Sequence, residues 1–261
     1  MTHTLHPDLL TGTVTIALVG AGGNGSQMLT GLARLHAAML ALGHPGGLHV
    51  TVYDPDRVSE ANVGRQLYSP ADVGQYKACV LVHRLNCWYG LDWEARPTRF
   101  SVSNNYNPHL LDMVISCVDS VASRREIDRL LKLRRTLTPH YWLDLGNRQV
   151  DGQVILGNHI PDFDRKRWKG KPYLPNVLDV YPELAKGKIK EDVSAPSCSL
   201  AESLERQDLF VNDHVSRWAL HLLWTLFRKG QIEHHGYLIN LVDGVVNPLP
   251  VPGGKGEAGG K

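Results

Sequence analysis

Between Thr13 and Gly20 the chain is almost continuously apolar and ends in glycines, the pattern of a short strand buried on both faces. After Ser26 the apolar positions are Met28, Leu32, Leu35, Met39 and Leu42. This 4-3-4-3 spacing predicts one face of a helix, stopped by Gly43-His44-Pro45-Gly46-Gly47. Leu48 to Tyr53 alternates as a strand does and ends at Asp54, so the first sixty residues read as a βαβ unit. Pro70 is placed to open a helix carrying Lys77, Leu81, Leu85 and Trp88. Met113 to Val118 reads as a buried strand, Ser123 to Leu133 as a helix, and Tyr141 to Leu145 and Gln153 to Leu156 as further strands. This alternation predicts an α/β fold, Rossmann-like, with a mostly parallel sheet and helices on both faces.

The pattern changes after Gly157. Residues 160–197 are rich in Pro, Lys, Asp and Glu and carry no long period. Val211, Val215, Trp218, Leu222 and Thr225 then predict a substantial helix, and Gly236 to Val242 with Val245-Val246 a closing hairpin. The expected organisation is one domain over residues 1–252. A nucleotide-binding part fills about 13–158, a crossover loop about 159–198, and a helix with closing strands about 199–252. The glycine-rich residues 253–261 read as a disordered tail.

Composition narrows the class. The 261 residues are 43% hydrophobic and 21% charged with a net charge of +2, which excludes wholesale disorder and argues against bulk-charge binding of nucleic acid or membrane. No run of 18 apolar residues predicts a membrane span, and the first residues lack the basic-then-apolar order of a secretion signal. Cys79, Cys87, Cys117 and Cys198 are far apart with no Cys-x-x-Cys, so no disulfide framework and no zinc are predicted. Cys79, Cys87 and Cys117 fall in helix or strand patterns and read as core, and His234-His235 reads as a surface pair. A reduced, soluble, cytoplasmic protein is expected.

Gly20-Ala21-Gly22-Gly23-Asn24-Gly25-Ser26 fits G-x-G-x-x-G at the exit of the first strand. Glycines there allow a tight turn and close approach of backbone to phosphate, with the helix N–H groups facing the anion. NAD, FAD and ATP sites share this feature, so it does not name the nucleotide. Asp54, at the end of the second strand, is placed to accept ribose hydroxyls. Asn62, Arg65 and Lys77 then bring an amide, a guanidinium and an ammonium together, a set that suits a triphosphate better than a dinucleotide. An NAD-dependent oxidoreductase is the competing reading from these residues alone.

Asp54-Pro55-Asp56-Arg57-Val58, Asn62-Val63-Gly64-Arg65-Gln66 and Gly74-Gln75-Tyr76-Lys77 follow the glycine turn in that order. So do Ile115-Ser116-Cys117-Val118-Asp119-Ser120 with Arg124, then Asp144-Leu145-Gly146 with Gly152-Gln153-Val154. Over residues 13–158 this succession resembles the ThiF/MoeB/HesA superfamily, the adenylating domain of ubiquitin-activating enzymes. The resemblance implies that a C-terminal carboxylate attacks the α-phosphate of ATP. It also implies Gly20, Gly22, Gly23, Gly25 and Asp54 at the nucleotide, Asn62 and Arg65 at the outer phosphates, Lys77 at the inner ones and Mg²⁺ at Asp119. Asp56, Ser59 and Gln66 read as loop scaffolding. Ser120 departs from the family's usual Asn, and the paired zinc cysteines of some members are missing.

Ala195-Pro196-Ser197-Cys198-Ser199 resembles the stretch carrying the thioester cysteine of ubiquitin-activating enzymes, with Ser for Thr. A helix N-terminus there would favour the thiolate of Cys198. Ile232-Glu233-His234-His235-Gly236 and Gln207-Asp208-Leu209-Phe210 extend a resemblance to the ThiF-family member of the bacterial PRTRC cassette. That resemblance implies a small ubiquitin-like protein as partner, a conjugating-enzyme-like protein beside it, and a homodimer. An adenylation-only enzyme of sulfur-transfer type and a non-catalytic adaptor of the same fold are the alternatives.

Overall fold

A computed structural model describes residues 1–101, 111–133, 140–159, 173–186 and 200–252. Its strands are β1 (His3–Thr4), β2 (Val14–Val19), β3 (Leu48–Tyr53), β4 (Glu94–Arg96), β5 (Met113–Ser116), β6 (His140–Asn147), β7 (Asp151–His159), β8 (Gln231–Ile232), β9 (His234–Asn240) and β10 (Val245–Pro250). The helices are α1 (Gly23–Ala41), α2 (Lys77–Tyr89), α3 (Val121–Lys132), α4 (Val177–Val180), α5 (Pro182–Ala185), α6 (Leu200–Arg206) and α7 (Val211–Lys229).

Eight strands form one sheet in the order β10-β9-β7-β6-β5-β2-β3-β4. The five from β6 to β4 run parallel, and β7, β9 and β10 are antiparallel. The sheet is thus an α/β sheet with a parallel half that carries the βαβ units and an antiparallel half that closes it. Its two edges are blunt. β4 is three residues long with Glu94 and Arg96 exposed, and β10 carries Pro248 and Pro250, which have no N–H to offer.

The strand alternation explains why the central strands read as unbroken apolar runs. Val14, Ile16 and Leu18 of β2 face a core shared with α1, α2 and α7, whereas Ala17 and Val19 face a second core under α3. Met113 and Ile115 against Val114 divide in the same way on β5. Both faces are covered, so no polar alternation is left. Burial of Leu and Ile side chains at these positions stabilises the fold by about 1.5–3 kcal/mol each.

The structure departs from the sequence expectations at several points. Pro70 opens only a 3-10 turn, Pro70–Asp72; Gly74 follows at φ +87, a left-handed conformation that ends it, and α2 starts at Lys77. Leu42 and Trp88 carry the helical period past the core edge and are exposed. Cys79 and Cys87 lie on the outer face of α2, not in the core, whereas Cys117 packs against the core as expected. His235 is buried and bonded to the Leu156 carbonyl oxygen at 3.0 Å, so His234-His235 is not a surface pair: adjacent strand residues point to opposite faces. Part of the crossover loop is helical, as α4 and α5, because Asn176 caps the first through the N–H groups of Leu178 and Asp179. The short β1–β8 pairing and β4 carry too little pattern to be foreseen. The predicted tail at 253–261 lies outside the described residues. Among those residues no helix is long and apolar enough to cross a membrane.

Candidate functional site

The C-terminal ends of β2, β3 and β5 fall in one row beside Asp144 of β6, because Val19 is in register with Tyr53 on one side and Ser116 on the other, and Ser116 with Asp144. The glycine turn leaves the sheet at the centre of this row. Gly20 has φ +92, and a Cβ there would stand 2.7 Å from the Cys117 carbonyl oxygen. A Cβ on Gly25 would overlap the Gly20 carbonyl oxygen, so this glycine lets the first turn of α1 lie on the strand exit. Gly23 is pressed against the Asn212 amide, whereas Gly22 faces open space, its nearest neighbour being Gln66 Nε2 at 4.0 Å. Gly22 is the N-cap of α1 and supplies no side-chain acceptor, which leaves the first N–H groups of the helix for an incoming anion.

Asp54 is buried beside this turn. Its Oδ2 accepts the Ala21 N–H at 2.6 Å and its Oδ1 the Asp56 N–H at 2.8 Å. Burial raises its carboxyl above the ordinary carboxylate range, and the two backbone N–H groups and Lys77 pull it back. Lys77 is nearly buried at the start of α2 and reaches Asp56 Oδ2 at 3.3 Å. Tyr68 donates its hydroxyl to the Ala21 carbonyl oxygen at 2.7 Å and holds the other side of the turn.

Asn62 is buried, and its Oδ1 accepts the Ser59 N–H at 3.0 Å in a capping box, so this oxygen belongs to the loop. Arg65 is half-buried, which lowers its guanidinium below its ordinary value, and Nη1 donates to Gln207 Oε1. Three polar atoms around the turn are buried without a partner among the described residues: Arg65 Nε, Gln66 Oε1 and Asn24 Oδ1. Such atoms cost roughly 1–3 kcal/mol each unless something meets them. The Arg65 Nε–H suits a phosphate oxygen, whereas the two amide oxygens can accept only from hydroxyl or amino groups, so the residues present fit a nucleotide that carries both. Asp56 and Ser59 are the scaffolding expected of them, but Gln66 has a buried oxygen unmatched among the described residues.

Asp119 is exposed just beyond β5, two residues after the carbonyl that abuts Gly20. Ser120 is the N-cap of α3 and accepts the Ser123 N–H at 3.1 Å, which leaves the Asp119 carboxylate out of the cap. Beneath it Arg124 donates through Nε to Asp144 Oδ1 at 2.9 Å, with Ser116 Oγ on the same oxygen at 2.6 Å and Trp142 Nε1 on Ser116 Oγ at 2.7 Å. Burial pushes the Cys117 thiol well above its ordinary value, which makes it a poor nucleophile. Cys198 lies outside the described residues. Among them no cluster of three or more His, Cys, Asp or Glu could hold a metal ion.

The structure therefore brings Gly20, Gly22, Gly23, Gly25, Asp54, Asn62, Arg65, Lys77 and Asp119 to one end of the sheet. It adds Asn24, Tyr68, Gln207 and Asn212, which sequence spacing did not single out for the site. Gln207 and Asn212 come from the far end of the chain, and the resemblance of the Gln207-Asp208-Leu209-Phe210 stretch gives Gln207 no place at the site.

Residues 10–159 match the ThiF family model, more than half of the chain, and the chain belongs to that family. No curated protein sequence matches it. Among solved structures it is similar to selenomethionine PaaA, at 13% identity and TM-score 0.56, over 91% of this chain and 64% of that one. It is similar also to MccB of E. coli, solved with succinimide, at 13% identity and TM-score 0.55, over 91% of this chain and 64% of that one. The likeness is one of fold: an α/β architecture with the mostly parallel central sheet of this group. The chain spans 64% of the length of these two proteins.

Proposed function

We propose that this protein uses ATP to adenylate the C-terminal carboxylate of a small ubiquitin-like protein and then holds the acyl group as a thioester on Cys198. The observation that carries the reading is the set of unmatched buried polar atoms on Asn24 of the glycine turn, on Gln66, whose amide stands next to Gly22, and on the adjoining Arg65. Membership of the ThiF family supports the same chemistry. The helix N–H groups after Gly22 and the Arg65 and Lys77 cations offset triphosphate charge, and Asp54 fixes the turn and faces the ribose. The exposed Asp119 carboxylate would hold a magnesium ion, which would supply further neutralisation of the triphosphate charge.

In the second step the Cys198 thiolate attacks the carbonyl carbon of the acyl-adenylate, the C–O bond to phosphate breaks, and AMP departs. The PRTRC resemblance supplies the partners: the ubiquitin-like substrate, a conjugating-enzyme-like acceptor and a second copy of the chain. ATP–pyrophosphate exchange that depends on the cassette's ubiquitin-like protein tests the first step. A thiol-sensitive adduct lost in Cys198→Ala, with exchange retained, tests the second. Absence of exchange overturns the reading, and an adduct that survives Cys198→Ala leaves adenylation alone.

A further inference from the structure

We infer that Gln207 is the positioning residue for Arg65, and that it fixes which edge of the guanidinium is turned to the nucleotide; this rests on the ATP reading above. A guanidinium has five N–H donors in a rigid plane. Here Nη1 is used by Gln207 Oε1, while Nε is buried with no acceptor among the described residues. The edge left over includes Nε, and a fork built on Nε and the remaining terminal nitrogen is a bidentate match to two phosphate oxygens. Rotating the plane to present Nη1 instead would break the bond to Gln207.

Gln207 is itself held. The backbone around it is fastened to the turn between β6 and β7: Gln149 Nε2 donates to the Glu205 carbonyl oxygen at 3.1 Å, and the Asp208 N–H donates to the Gln149 carbonyl oxygen at 2.9 Å. Its Oε1 takes a second bond, from Asn212 Nδ2 at 3.1 Å. Asn212 is buried in the first turn of α7 and packs directly on Gly23. A continuous path thus runs from the guanidinium through Gln207 and Asn212 to the glycine turn, joining two phosphate-facing elements. A glutamine serving only the surface would need neither the second donor nor the anchored backbone.

The test is titration of ATP–Mg²⁺ into the full chain for four proteins: wild type, Gln207→Met, Arg65→Lys, and the double variant, each with its urea midpoint measured. Gln207→Met keeps the volume and removes the acceptor, and Gln207→Leu replaces it if that variant misfolds. Loss of an acceptor for a charged donor predicts affinity about tenfold weaker with Arg65 present. With Arg65→Lys, which has no fork to orient, the same change should have less than about a twofold effect. Equal effects in both backgrounds, or wild-type affinity in Gln207→Met, overturn the role of Gln207 alone. A wild-type protein that binds no ATP removes the nucleotide reading and this inference together.

Discussion

The Asp54 carboxylate accepts the Ala21 N–H at 2.6 Å, so the end of β3 holds the turn that leaves β2. The same group accepts the Asp56 N–H, and Asp56 in turn meets Lys77. One acidic residue therefore organises the turn and, through the next loop, the lysine that opens α2.

Two glycines of the turn should respond differently to one methyl group. Gly25→Ala places a Cβ on the Gly20 carbonyl oxygen and should destabilise the fold by about 1–3 kcal/mol, the usual range for overpacking. Gly22→Ala meets nothing nearer than 4.0 Å and should leave the urea midpoint near wild type while abolishing ATP binding. Paired chemical denaturation and nucleotide titration check both. Unaltered ATP affinity in Gly22→Ala would mean that no nucleotide lies against the turn.

Arg124→Met should be among the most damaging single changes. Asp144 has no solvent exposure and Arg124 almost none, so removing the cation leaves a buried carboxylate and should cost about 3–5 kcal/mol. Arg124→Met with Asp144→Leu removes both charges and should recover most of that loss. Urea unfolding of the single and double variants measures the recovery.

Asp119→Ala should leave the urea midpoint within about 0.5 kcal/mol of wild type, since the residue is exposed and outside the α3 cap. Pyrophosphate exchange should fall at least a hundredfold if the residue carries magnesium, a loss of roughly 3 kcal/mol or more. Exchange at the wild-type rate with Asp119→Ala would exclude it as the metal ligand.

Stability should fall in mild acid because of His3. Burial, with His235 nearby, lowers the His3 imidazole from 6.5 to about 4, and its Nε2 meets the Tyr141 hydroxyl at 2.8 Å. Between those pH values the unfolded chain takes up a proton that the folded chain refuses, so unfolding free energy rises with pH across the window. The contribution is present above 6.5 and is lost as pH falls to about 4, in total about 3 kcal/mol. Buried His235, lowered for the same reason, adds in the same direction. His3→Phe should cost about 1 kcal/mol at neutral pH through the lost hydrogen bond and give a flatter stability profile in acid. Urea midpoints at several pH values between 4 and 7 decide it.

How far the sequence could be read depended on how local each signal was. β2 and β5 are legible because burial on both faces leaves an apolar run, β3 because its buried positions alternate up to Asp54, and α1 and α7 because nineteen residues each carry a clear period. The helix expected from Pro70 failed because Gly74 imposes a backbone conformation that the apolar spacing does not register. Cys79 and Cys87 were misjudged for a related reason: residue type suggested burial, but their positions on α2 fall opposite Leu81 and Leu85. His235 was missed because its partner, Leu156, is 79 residues away. The glycines, Asp54, Arg65, Lys77 and Asp119 each follow a strand end or a local motif, so their gathering could be foreseen. The pairing of Arg65 with Gln207, across 142 residues, could not.

The two blunt edges of the sheet limit how this molecule can meet another. Along β10, Pro248 and Pro250 remove the donors that a neighbouring strand would need, and β4 offers only three residues, of which Glu94 and Arg96 carry opposite charges. Lateral growth of the ladder is thereby denied at both ends, which also protects the chain from open-ended stacking into fibres. Along these two edges of the eight-stranded sheet, recognition by another protein would fall to side chains and not to backbone pairing.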